Sequence, residues 1–137
     1  MRRWLPRGLW MGLLHGGVQV GTEAVGVHSP GASSALRYIA LGLVAVAGVM
    51  WGALDTWRQL NGRGMVWFFA ALVAGPVAGV VGVLGKSLLV DQTGVEALGA
   101  ALTGGAAFTA LLVMVTAGMG MALGNALPQP EQPDGSH

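Results

Sequence analysis

The amino-acid sequence predicts an all-α fold, an integral membrane four-helix bundle with both ends in the cytoplasm. Three observations predict it: scarce charge, four apolar blocks and an uneven distribution of arginine. Of 137 residues, 53% are hydrophobic and only 9% are charged, against roughly 25% charged in an average soluble domain. So few charges cannot cover a surface that faces water. Mean hydropathy is +0.63, and the apolar residues gather into blocks that each approach the ~20 residues a bilayer's hydrocarbon core requires of a helix. Arg2, Arg3, Arg7, Arg58 and Arg63 fall on one side of a four-span layout, with Arg37 and Lys86 on the other. The positive-inside rule then places both termini in the cytoplasm.

The first predicted span covers residues 9–27 and is the least apolar, ending at the turn His28, Ser29, Pro30 and Gly31. Arg2 and Arg3 before an apolar stretch resemble a secretory signal, but His15, Gln19 and Glu23 within that stretch, and the lack of a small-residue cleavage pattern, argue against one. The second span, 36–54, is a run of Leu, Val, Ala and Gly that closes in a polar loop from Asp55 to Gly64. The third, 65–90, carries Gly75-Pro76 near its middle, where the missing amide predicts a kink. An acidic loop, Asp91 to Glu96, leads to the fourth, 97–123, and the Pro-rich segment 125–137 is expected to be a disordered cytoplasmic tail. Trp4, Trp10, Trp51, Trp57 and Trp67 all fall near cytoplasmic helix ends, where an indole suits the headgroup layer.

At 100° per residue, Gly8, Gly12, Gly16 and Gly26 share a stripe of the first helix with His15, Gln19 and Glu23, opposite Leu9, Leu13, Val20 and Val27. Small and polar residues on one face should point into the bundle, leaving the aliphatic face to lipid. Gly75, Gly79, Gly82 and Lys86 form a similar stripe on the third helix. Gly105, Thr109, Val113, Thr116, Gly120 and Gly124 form one on the fourth, read as a packing seam whose threonines bond across it or back to their own backbone. Asp55 and Arg58 stand at helical spacing by the cytoplasmic end of the second helix and read as an interfacial ion pair or a helix stop.

Glu23 and Lys86 are at similar depth, and an unpaired charge in a span costs ~2.5 to 3.5 kcal/mol, so the two are expected to pair within one chain or across a dimer. The functional reading makes Glu23 a proton-linked or cation-binding carboxylate with His15 and Gln19 lining its path. The structural reading is a salt bridge beside a snorkelling lysine, with His15 a neutral hydrogen-bonded residue between helices. The candidate binding residues are therefore Glu23, His15, Gln19 and Lys86.

Other chemistries find little support. With no cysteine, thiol catalysis, thiolate metal sites and disulfides are excluded. Met114, Met119 and Met121 read as packing, not as a soft-metal site, and neither a metal nor another cofactor is expected. A formal charge of +1, with arginines flanking apolar blocks, gives no nucleic-acid surface. No nucleophile–base pair or paired carboxylates converge within the spans, so the chain is not expected to be an enzyme.

The segments WGALDTWR (51–58) and LTGGAAFTALLVMV (102–115), with the N-terminal RGLxMGLLH stretch ending at His15, resemble small actinobacterial-type membrane proteins identified as bacterial four-helix members of the drug/metabolite transporter superfamily. That resemblance implies four helices, a multi-pass plasma-membrane location and a transporter role. Small multidrug resistance proteins of the same superfamily are similar in helix number and carry a first-helix glutamate that binds protons and cationic drugs in a dimer. Glu23 is the counterpart here, without the aromatic residues that surround such a glutamate.

The leading expectation is a small secondary transporter, proton-coupled through Glu23, of unspecified substrate. It would work in the lipid bilayer as a homodimer, since four helices alone barely enclose a cavity. The alternative is a non-transporting accessory or assembly protein packed against a larger membrane complex.

Overall fold

The computed structural model describes residues 3–29, 31, 33–89 and 95–128. Four long helices account for nearly all of them: α1 (Trp4–His28), α2 (Ser33–Trp57), α3 (Arg63–Leu89) and α4 (Leu98–Ala126). A 3-10 turn at Val95–Ala97 leads into α4, and a π-helical turn, Ala101–Gly105, interrupts it. No strand occurs among the described residues. The rods contain 25, 25, 27 and 29 residues, and at 1.5 Å per residue each exceeds the ~30 Å hydrocarbon core.

By length and composition α2, α3 and α4 can each cross a membrane. Their outer faces are apolar: Ile39, Leu43 and Val46 on α2, Leu72 and Leu88 on α3, Leu111, Val115 and Leu123 on α4 are all exposed. Aliphatic surface on that scale, carried by helices that satisfy their own backbone, marks a helical membrane protein.

The element ends follow local chemistry. Pro6 lies in the first turn of α1, where an amide proton has no intrahelical acceptor, so the helix begins at Trp4, ahead of the apolar block. The α2–α3 connection is tight, and Gly62 takes φ +67°, open to a residue without Cβ. Helix α3 continues uninterrupted through Pro76. Asn125 and Ala126 close α4, with Asn125 Oδ1 accepting from Arg63 Nη2 at 3.1 Å. Residues 90–94, including acidic Asp91, and the tail from 129 onward lie outside the described residues.

Packing is governed by small residues. The core cluster contains Met11, Val44, Trp67, Val113 and four alanines. Helix α1 lies along α3 with Gly8, Gly12 and Gly16 facing Val73, Val77 and Val81. The constant step of four on both helices means they run parallel. At Gly12, an added Cβ would stand 2.7 Å from Val77 Cβ and 2.8 Å from the Ala74 carbonyl oxygen, so only glycine permits this approach. Helices α2 and α4 are likewise parallel, with Gly48 and Gly52 on Thr116 and Ala117, and Gly120 and Gly124 on Val49, Ala53 and Thr56. Helices α3 and α4 are antiparallel, meeting at Gly75–Ala106 and Gly79–Ala101. The α4 threonines bond to their own backbone: Thr109 Oγ1 donates to Gly105 O at 3.0 Å and Thr116 Oγ1 to Leu112 O at 2.8 Å.

Three side-chain expectations are corrected. Asp55 is not a loop residue paired with Arg58; it is buried in the last turn of α2 and accepts from Arg7 Nε at 2.8 Å, Arg7 Nη2 at 2.7 Å and Trp67 Nε1 at 2.9 Å, while Arg58 is exposed. Helical spacing would have set Arg58 beside Asp55, but α2 ends at Trp57, so Arg58 falls in the turn beyond it and is exposed while the inward carboxylate meets neighbouring helices. Trp67 is 1% exposed and fills the bundle instead of a headgroup layer, its ring edge-on to Trp51 at 6.0 Å. Val20 is buried against Gly85 and does not face lipid.

Candidate binding site

At the end of the bundle opposite Arg7 lies a cavity of about 330 Å³. Its walls come from all four helices. Helix α1 supplies His15, Gln19 and Glu23 because their spacing of four places them in line along one face, with a rise of roughly 12 Å from His15 to Glu23. Helix α2 supplies Arg37 and Val44, α3 supplies Lys86, and α4 supplies Phe108. The α1 seam glycines fix this arrangement: by locking α1 against α3 they turn the adjacent polar stripe toward α2.

The mouth carries the charge. Glu23 Oε1 accepts from Arg37 Nη2 at 3.0 Å and lies 3.8 Å from Lys86 Nζ. The Glu23–Lys86 pair expected from depth alone is therefore present within one chain, but as the longer arm of a triad whose shorter arm is Arg37. Sequence reasoning used Arg37 only to set orientation. The signal that could have found it is its position one turn into α2, just across the short connection from Glu23. Two cations against one carboxylate leave this mouth with a net charge of +1 among the described side chains.

The floor is different. His15 is 3% exposed, and both its ring nitrogens are buried without a hydrogen-bond partner among the described residues. Its ring stands 6.1 Å from that of Phe108. The expectation of a histidine bonded between helices is not met, since the residues around it offer aromatic and aliphatic surface. A buried imidazole that keeps both nitrogens free beside a cavity is poised to meet a polar group entering it.

Gln19 and Lys86 also border a second cavity of about 200 Å³, closed on the far side by α4 at Ala101, Gly105 and Thr109. The π-helical turn forms that wall. Such turns widen a helix locally and recur where a side chain or ligand must be accommodated. Gln19 Oε1 would lie 3.1 Å from a Cβ added at Gly82, so the glycine is what admits the amide between the two spaces.

The other end of the bundle is closed. Arg7, Asp55 and Trp67 knot α1, α2 and α3 together, and the Arg7 guanidinium also stands 5.8 Å from the centroid of Trp51. Beyond them the glycine contacts of Gly8 and Gly124 bring backbones together. The charged cavity thus lies at the Glu23 end, and the Arg7 end is clamped by side chains.

No family model matches the chain. Among curated proteins it is similar to glycerol-3-phosphate acyltransferase 3 of Dehalococcoides mccartyi (strain CBDB1), with 35% identity over 103 residues. The match takes in 73% of this chain but 45% of that protein, so the chain spans under half of its relative's length. This similarity corrects the expectation that the chain is not an enzyme, because the relative is named as one. The expectation rested on a missing nucleophile–base pair. Transfer of an acyl group to a bound hydroxyl needs no protein nucleophile, only positioning and a group that can take a proton, so inventory alone could not exclude it.

Proposed function

We propose that the chain is a four-span, multi-pass protein of the plasma membrane, both ends cytoplasmic, that carries a small solute across the bilayer as a transporter of the drug/metabolite type. The observation behind this reading is the cavity at one end of the bundle: a charged mouth, a buried and unpartnered His15 at its floor, and an opposite end held together by Arg7, Asp55 and Trp67. A site open to one side and closed to the other is what alternating access requires of one of its states. The arginine count puts the open mouth outside. Helix α1 falls short of a lipid-facing span in composition, but buried against α3 and partly covered by α2 it crosses as the bundle's polar member.

Glu23 is the coupling group in this scheme. Ionised, it holds Arg37 and Lys86; protonated or displaced, it releases both. A homodimer would set a second copy against the outer face of α2, where Ile39, Leu43 and Val46 are exposed. Reconstituted protein should drive uptake of solutes from a defined metabolite mixture, read by mass spectrometry of the vesicle contents. Glu23→Gln should abolish that uptake while helical melting is retained. Uptake unchanged in Glu23→Gln removes the residue from the mechanism, and no uptake of any solute by the wild type refutes transport.

A second reading is favoured by the acyltransferase relative. The same cavity would seat glycerol-3-phosphate with its phosphate at Arg37 and Lys86 and a hydroxyl toward His15, which would take the proton. Membranes holding the protein, given labelled glycerol-3-phosphate and an activated acyl donor, would then convert label to an organic-soluble form, and His15→Gln would stop it. Label that stays aqueous rules this reading out.

A further inference from the structure

We infer that the cavity's ligand is an organic anion, a carboxylate or phosphate monoester on a short apolar body, and that Glu23 is its internal competitor. The inference rests on reading the cavity as a ligand site, which the buried and unpartnered His15 at its floor supports independently of charge.

The geometry argues the sign of the ligand. Arg37 and Lys86 converge on the one Glu23 carboxylate, their nearest contacts both to Oε1, at 3.0 and 3.8 Å. One carboxylate, with about four acceptor sites, cannot satisfy a guanidinium, which has five donors, and an ammonium, which has three. An entering anion adds the acceptors both cations lack, whereas an entering cation would have to evict two charges already in place. Below the mouth the wall is largely apolar, through Val18, Leu41, Val44 and Phe108, with Gln19 and His15 its neutral polar members. Arg37 and Leu41 also border a groove that continues past Tyr38, which is 77% exposed, onto the outer face of α2. An apolar body therefore finds surface both inward and sideways, while the charge stays at the mouth.

The competition has an unusual consequence. If Glu23 occupies the anion's place, deleting its charge must strengthen anion binding; if Glu23 were a cation site, the same change must destroy binding.

The full chain in phosphatidylcholine nanodiscs would be tested by equilibrium dialysis against labelled hexanoate, hexyl phosphate and hexylammonium. The two anions should bind saturably and hexylammonium about tenfold more weakly. Arg37→Gln and Lys86→Gln should each weaken anion binding about fivefold, and Glu23→Gln should tighten it. Nanodiscs doped with phosphatidate identify the source of the anion: loss of hexyl phosphate binding assigns the site to a lipid headgroup, and unchanged binding to a dissolved solute, both upholding an anion site. Preferred binding of hexylammonium, weaker anion binding in Glu23→Gln, or no saturable binding by protein with an intact helical melt would overturn the inference. Its failure is separable from that of transport, since anion binding without flux retains the site and flux with cation-selective binding retains only the transporter.

Discussion

Removing the Arg7 side chain should unfold this protein more readily than removing its partner. Asp55 has only 5% of its side chain exposed and Arg7 15%, and the pair is bidentate at 2.8 and 2.7 Å, with Trp67 Nε1 as a third donor at 2.9 Å. Stripping one member from a buried ion pair costs ~3 to 5 kcal/mol, because the other is left charged and unmatched. The two members differ in their escape routes. In Arg7→Ala the short carboxylate stays in the bundle with one remaining indole donor, so the full range applies. In Asp55→Ala the guanidinium still has the Arg3 carbonyl oxygen at 2.6 Å and the Trp51 ring, and its long stem can move the charge toward the headgroups, so ~2 to 3 kcal/mol is expected. Arg58→Ala, which alters an exposed residue, should be indistinguishable from the wild type. Reversible unfolding in mixed micelles, followed by circular dichroism, would measure all three and the Arg7→Ala/Asp55→Ala double variant. That double variant should lose clearly less than the sum of the two singles. Additive losses, or an Arg58 variant as damaged as the Asp55 one, would refute this account.

Other measurements bear on different parts of the structure. Gly12→Ala and Gly120→Ala should each lose ~1 to 3 kcal/mol in the same unfolding assay, since their added methyls meet Val77 with the Ala74 carbonyl and the Val49 carbonyl respectively. Gly17→Ala and Gly21→Ala, where an added Cβ meets nothing within 4 Å, should be neutral or gain up to ~1 kcal/mol from helix propensity. Trp67→Phe should lose one hydrogen bond to the Asp55 carboxylate, an effect of ~1.5 to 3 kcal/mol, and add a cavity cost where the larger indole filled the core. Because the chain has no cysteine, single cysteines can report topology: Gly31→Cys should react with an impermeant maleimide on intact cells and Asn61→Cys only after lysis, and the reverse pattern would invert the orientation.

Much of this fold was legible because hydropathy and glycine spacing are one-dimensional signals. A step of four, as in Gly8, Gly12 and Gly16, marks a close-packed face whatever lies across it, and the polar line from His15 to Glu23 is on the neighbouring face by the same periodicity. What a stripe does not carry is the identity of its partner. Nothing in the spacing of Gly48 and Gly52 says that they meet Ala117, or that parallel pairs α1/α3 and α2/α4 pack more intimately than helices joined by short turns. The charges were misread for a related reason. Asp55 has a basic neighbour three residues away, which sequence can see, and a better one 48 residues away, which it cannot.

The placement of charge suggests why both ends of the bundle carry ion pairs between helices. Packing along the seams is between methyls and backbones, and such contacts hold helices together without fixing how far one slides along another, because a step of four reproduces nearly the same surface. Parallel neighbours such as α1 and α3 are the most exposed to that ambiguity: Gly8 on Val73 and Gly12 on Val77 are near-equivalent contacts. Arg7–Asp55 at one end and Glu23 with Arg37 and Lys86 at the other remove it, since a slip of one turn, ~5.4 Å, would separate both sets. The two clamps are not alike, however. The first is buried and holds three donors on one carboxylate, whereas in the second Arg37 is 66% exposed and the carboxylate is shared at unequal distances. A bundle fixed firmly at one end and loosely at the other will open at the loose end first, and that is where the cavity lies.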